Sequence, residues 1–125
     1  MTCKDLIGYQ LVSIDDEHIV VRKDNATYVL DILEDGGDCC GFNEITAKLL
    51  ISEMELNRNP VITNVEMTEE EAEWDGMNGK LTFFGEYKPI AVVDTLSSSG
   101  SGWCYGACVS ISCKVLGINE TLSSW

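Results

Sequence analysis

The alternation of apolar and polar positions is clearest in the first third of the chain. Tyr9-Gln10-Leu11-Val12-Ser13-Ile14 alternates with the two-residue period of a strand, and His18 to Lys23 is rich in β-branched residues. Ala26 to Leu33 is a third such run. Asp15-Asp16 and Asp24-Asn25 separate the three, so the pattern predicts an antiparallel meander with tight turns. Residues 3–8 are expected to make one short helical turn ahead of it. Glu34 to Asp38, with Gly36 and Gly37, ends the meander.

From Asn43 to Leu56 two periods overlap. Ile45, Ala47, Leu49 and Ile51 alternate as in a strand, while Leu50, Ile51 and Met54 fit one helix face. The first half is predicted as strand and the second half is open between the two. Asn57 to Pro60 reads as a turn and Val61 to Met67 as a strand. Thr68 to Asp75 is acidic and has no apolar stripe to pack, which predicts a solvated loop. After an Asn78-Gly79 turn, a long aromatic strand is expected from Lys80 to Tyr87. It resumes from Pro89 to Thr95, with an edge or a bulge at Pro89, because proline cannot donate to a ladder.

Residues 97–102, all serine and glycine, read as a flexible loop. Trp103 to Val115 follows as a strand with Ala107, Val109, Ile111, Cys113 and Val115 on one face. Residues 117–125 are expected to form a weakly ordered tail. The whole pattern predicts a mainly β protein, with α+β as the alternative. It would be one domain over residues 1–125: a small antiparallel sheet or partly open barrel with little helix.

Composition narrows what such a domain does. The 125 residues carry a formal net charge of −13, from 21 acidic and 8 basic side chains. Direct nucleic-acid binding needs clustered cations and is excluded on this basis. The charge suits solubility, or docking on a basic protein surface. No run approaches the roughly 18 apolar residues of a membrane-spanning helix. The Met1-Thr2-Cys3-Lys4-Asp5 start lacks the pattern of a signal peptide, so a cytosolic protein is expected. In that compartment the six cysteines point to thiols or metal ligands before disulfides.

Four of those cysteines sit in glycine-rich surroundings. Cys39 and Cys40 lie in Asp35-Gly36-Gly37-Asp38-Cys39-Cys40-Gly41, and Cys104 and Cys108 bracket Tyr105-Gly106-Ala107. Zinc takes four thiolates in a tetrahedron, commonly from tight turns. Adjacent cysteines converge only in a turn, which the glycines permit. The expectation is one structural Zn2+ held by Cys39, Cys40, Cys104 and Cys108, with the loops pinned by the metal. A closed four-sulfur sphere leaves no position for a reactive water. Cys113, by strand parity, and the isolated Cys3 read as buried or bystander thiols, with His18 and Asp38 as substitute ligands. No HExxH, zinc-deaminase or phosphate-loop motif is present, and His18 has no evident catalytic partner, so no enzyme is expected.

Asp5-Leu6-Ile7-Gly8 before the first strand, Asp38-Cys39-Cys40 after the third, and the apolar-aromatic strand leading to a small-residue loop carry a resemblance. Across residues 5 to 115 the order of elements resembles a family of small phage and prophage proteins. Cys104 and Cys108 depart from the commoner pattern, which ties the zinc expectation to this branch. Within that group the chain is similar to type II-A anti-CRISPR proteins. The resemblance implies a non-enzymatic, stoichiometric inhibitor in the bacterial host cytoplasm that binds the type II RNA-guided nuclease and blocks target-DNA engagement or cleavage. A monomer is expected. The charge of −13 fits, since the nucleic-acid channels of such nucleases are basic. The acidic run supplies the candidate partner-binding residues Glu69, Glu70, Glu71, Glu73 and Asp75, with Trp74 as an aromatic anchor. Asp15, Asp16 and Glu17 form a smaller patch. The alternatives are a phage zinc enzyme or redox protein, which needs an open metal position or a low-pKa thiol, and a small regulatory phage protein with another host partner.

Overall fold

The computed structural model describes residues 2–35, 42–71, 76–98 and 107–124. Its strands are β1 (Gln10–Ile14), β2 (His18–Lys23), β3 (Ala26–Asp35), β4 (Phe42–Leu49), β5 (Asn64–Glu71), β6 (Gly76–Phe84), β7 (Pro89–Ser98), β8 (Cys108–Cys113) and β9 (Ile118–Ser124). A single 3-10 turn over Cys3–Leu6 precedes them, and one short helix, α1 (Glu53–Leu56), lies between β4 and β5.

The chain is mainly β, as its alternation predicts, but the strands form two antiparallel sheets and do not close into a barrel. One sheet has the order β1-β2-β3-β8-β9 and the other β4-β7-β6-β5. The meander over β1 to β3 is formed with Asp24 and Asn25 at φ values of 52° and 66° in the tight turn. Asp and Asn are the non-glycine residues that tolerate that region best. The two sheets share one core, to which Leu11, Ile19, Leu30, Val109 and Ile111 contribute from the first and Val65, Leu81, Phe83 and Val93 from the second. Cys3 and Leu6 of the 3-10 turn are buried in the same cluster. Residues 60–62 zip against 8–11 through Gly8 N–H to Ile62 O and Ile62 N–H to Tyr9 O, both 2.8 Å. This covers the β1 edge.

Four expectations are corrected here. The long aromatic strand is two strands, because Gly85 and Lys88 close a turn (Gly85 N–H to Lys88 O, 2.8 Å) that folds β7 back on β6. The irregularity expected at Pro89 is a register shift in that pairing, opposite Phe84. Asn78-Gly79 is no turn but the interior of β6, where Gly79 lets β9 approach. Glu69, Glu70 and Glu71 belong to β5, laddered on Gly79, Asn78 and Met77 instead of lying in a loop. The expected tail is β9, paired along β8 and burying Ile118, Leu122 and Ser123. A register shift between Val109 and Ser110 makes Leu122 the extra residue of a bulge, so two neighbours, Leu122 and Ser123, are both buried.

On β8 the predicted face holds for Ala107, Val109, Ile111 and Cys113, all buried. Val115 departs from it, at 81 % exposure, because it lies in the Lys114–Gly117 turn beyond the strand. The open segment after β4 resolves as α1, started by Ser52, whose side chain accepts from Glu55 N–H as an N-cap.

Candidate functional site

Of the four proposed zinc ligands, Cys108 is within the described residues, while Cys39, Cys40 and Cys104 lie outside them, as does Asp38. Cys108 opens β8 half-buried, opposite Asp35 of β3 and Ser124 of β9. Asp35 and Cys108 are register partners in one sheet, and Phe42 and Ser98 are register partners in the other. In each sheet, therefore, the strand ends that lead into residues 36–41 and 99–106 are neighbours. Among the described residues no group of three or more His, Cys, Asp or Glu side chains is placed to hold a metal. His18 lies on the outside of its sheet, 3.4 Å from Asp31 and 3.8 Å from Asp15. Cys113 and Cys3 are buried thiols, as expected.

Just inside those strand ends the sheets meet through hydroxyls. Thr95 Oγ1 donates to Ser123 Oγ at 2.9 Å, Ser123 and Ser97 share a 2.8 Å bond, and Ser97 Oγ donates to Asn43 Oδ1 at 2.7 Å. With Ser123 donating to Ser97, one proton direction runs through the whole chain. Buried polar atoms are costly without partners, and this chain supplies them between β4, β7 and β9.

A second cluster joins the N-terminus to β9. The Cys3 backbone N–H donates to Glu120 Oε1 in a short contact. Burial, reinforced by the Glu120 charge and by its hydrogen bond to the thiol, pushes the Cys3 pKa up to about 12. This is the reverse of a reactive thiolate environment.

The acidic run separates by strand alternation. Glu69, Glu70 and Glu71 are all exposed, but neighbouring side chains on a strand point to opposite faces. Glu70 shares the outward face with Glu66 and Thr68, while Glu69 and Glu71 have the parity of Val65 and Met67. Glu73, Trp74 and Asp75 lie outside the described residues.

The outward face of the four-stranded sheet is the larger charged surface. The registers set rows across it: Glu44–Leu96–Asn78–Glu70, then Thr46–Asp94–Lys80–Thr68, then Lys48–Val92–Thr82–Glu66. Two hollows of about 450 and 650 Å3 lie on it and share Thr68, Glu70, Lys80 and Asp94. Glu44, Glu66, Glu70, Asp94, Lys48 and Lys80 are exposed, and none is within ion-pair distance of another charged group among the described residues. Residues 69–75 stand out in the sequence because their charges are contiguous along the chain. Glu44, Glu66 and Asp94 sit on three different strands, and only the sheet order brings them together. Their signal was polar alternation, Glu44-x-Thr46-x-Lys48 and Glu66-x-Thr68-x-Glu70, which marks a solvated face without saying which strands share it.

No helix among the described residues is long and apolar enough to cross a membrane. No protein family, curated protein or solved structure matches the chain.

Proposed function

We propose that the protein is a non-enzymatic binding module that docks on a basic protein surface, acting as an anti-CRISPR inhibitor of the type II RNA-guided nuclease in the bacterial cytoplasm. The observation that carries the binding reading is the outer face of the four-stranded sheet, on which Glu44, Glu66, Glu70 and Asp94 are exposed and have no ion-pair partner among the described residues. Complementary charge of this kind speeds association and fixes orientation. The nuclease enters as the partner through the resemblance at Asp5–Gly8 and Asp38–Cys40, because its nucleic-acid channel is a basic surface that an acidic inhibitor would occupy.

The structural zinc belongs to the same proposal. Cys39, Cys40, Cys104 and Cys108 would hold Zn2+, and it is the neighbouring strand ends at Asp35/Cys108 and Phe42/Ser98 that favour their convergence. The metal would tie together the two segments that follow from these neighbouring strand ends. The protein would act as a monomer.

The test is direct. Purified protein is titrated into the nuclease–guide complex, and binding and target-DNA cleavage are followed across a salt series. Stoichiometric, salt-sensitive inhibition is expected. Failure to bind nucleases from several hosts would remove the anti-CRISPR assignment.

A further inference from the structure

We infer that the outer face of the four-stranded sheet is a cradle for an amphipathic helix with basic flanks on the partner protein. The inference rests on the binding reading above and names what docks. Its dimensions come from the sheet. The rims are β4, with Glu44 and Lys48, and β5, with Glu66 and Glu70, three strand spacings apart. At about 4.8 Å per spacing the rims stand roughly 14 Å from each other. A helix with its side chains is about 10–12 Å across and fits between them. An extended segment would find no ladder there, because this face presents side chains and not backbone groups.

The chemistry of the face follows its rows. Leu96 is half-buried in the first row, Val92 is 6 % exposed in the third, and Phe84 lies half-buried beyond it. Val92 is too buried to be met, whereas Leu96 and Phe84 stand half-buried towards the two ends of the face. Asn78, the register partner of Leu96, is six residues from Phe84 on β6, roughly 20 Å at 3.3 Å per residue, which is close to four helical turns. Apolar side chains four turns apart on a helix seam would meet Leu96 and Phe84. Between them, one row holds Asp94 and Lys80. The seam of the occupant is therefore interrupted by a polar residue, and an uninterrupted row of cations would face Lys80. The flanks meet Glu44 on one rim and Glu66 and Glu70 on the other. The face carries more carboxylates than ammonium groups, so a second copy of this chain would set like charges together. Nucleic acid would be repelled for the same reason.

The experiment uses the full chain labelled with 15N and a synthetic amphipathic helix of about 18 residues, long enough at about 1.5 Å per residue to cross the sheet. The peptide has a leucine and alanine seam with one central glutamine, and lysine and arginine flanks. Binding is expected to shift the amides of Thr46, Thr68, Lys80 and Asp94, and to weaken in high salt. The Glu66→Gln/Glu70→Gln double variant is expected to lose roughly 2- to 30-fold in affinity, the range set by two exposed ion pairs. A peptide of the same composition with a central proline is expected to bind far less. Shifts mapping to the other sheet, or equal binding of the proline peptide, would overturn the cradle. A nuclease that is bound and inhibited equally by the double variant would also overturn it while leaving the proposed function standing. A helix that docks on this face without any nuclease binding would remove the proposed partner and keep the cradle.

Discussion

Gly79 of β6 lies directly under the backbone of Leu122 of β9: a Cβ placed on Gly79 would sit 1.9 Å from the Leu122 carbonyl oxygen. The close approach joins the two sheets where β9 bulges. It explains why a glycine occupies the interior of a strand despite its entropic cost. Neither backbone can yield cheaply, since β6 is laddered on both sides and the bulge fixes Leu122. Gly79→Ala is expected to destabilise the protein by about 1–3 kcal/mol or more, the cost of overpacking a filled core. Urea unfolding measures it. A midpoint within error of the unmodified protein would show that the sheets separate here at little cost.

The last strand provides the second prediction. Leu122 and Ile118 are buried and β9 completes one sheet, so residues 118–124 are structural. Leu122→Ala is expected to cost about 2–5 kcal/mol, and Val115→Ala, in the exposed turn, less than about 0.5 kcal/mol. Removal of β9 is expected to abolish cooperative unfolding, because the loss is comparable with a typical total stability of about 5–15 kcal/mol. Circular dichroism melts of the three variants check this. A sharp melt in the truncated chain would return the segment to the status of a tail.

These two sites also show which features the sequence made legible. The meander over β1 to β3 could be read because each strand alternates and each turn has Asp or Asn where a positive φ or a tight bend is required. The buried side of β8 could be read from parity alone. β9 could not, since its bulge puts Leu122 and Ser123 on the inside together and breaks the alternation. Asn-Gly is a hairpin signal, so from sequence Gly79 reads as a turn residue. Its actual role depends on a carbonyl more than forty residues away. The outer sheet face was hidden for the same kind of reason: its charges come from four strands whose order is not the order of the chain.

The Cys3–Glu120 contact gives a pH prediction. The folded thiol is held near 12, above its ordinary value of 9.0, so the folded state keeps a proton that the unfolded chain releases first. Stability is fully present below about pH 9 and declines as pH rises from there towards 12, at no more than about 1.4 kcal/mol per pH unit. Glu120→Gln removes the charge and is expected to lower the thiol pKa and flatten this decline. Urea midpoints from pH 8 to 11, compared with those of Cys3→Ala, measure it. An identical profile in Cys3→Ala would assign the alkaline loss to other groups.

The metal prediction separates two cysteines that are five residues apart. Cys108 opens β8 half-buried beside Asp35, whereas Cys113 is 5 % exposed and faces the core. Protein purified without a histidine tag is expected to contain about one zinc per chain, since four thiolates close one tetrahedral sphere. Cys108→Ser and Cys104→Ser are expected to lose the zinc while keeping the sheets, which have a core of their own. Cys113→Ser is expected to keep the zinc and lose about 1–3 kcal/mol through a hydroxyl at a core position. Elemental analysis with thiol counting distinguishes these outcomes. Metal-free native protein with reactive thiols would end the zinc proposal, and equal zinc loss from Cys113→Ser would move one ligand.

Strand alternation divides the acidic run into two sets, and nuclease binding should respect the division. Glu70 and Glu66 point from β5 to the outer face, while Glu69 and Glu71 point the other way from the same strand. All four are exposed and close in sequence, so a purely long-range charge effect would treat them alike. Contact through the outer face would not. Glu66→Gln/Glu70→Gln is expected to weaken association with the nuclease–guide complex roughly 2- to 30-fold at physiological salt, and Glu69→Gln/Glu71→Gln by less than about 2-fold. Both pairs remove the same charge, so their difference isolates contact from steering. The gap should narrow in high salt, where the Debye length shrinks to about 3 Å at 1 M. Equal losses from the two pairs would assign binding to overall charge. A larger loss from Glu69 and Glu71 would move the docking surface to the opposite side of β5.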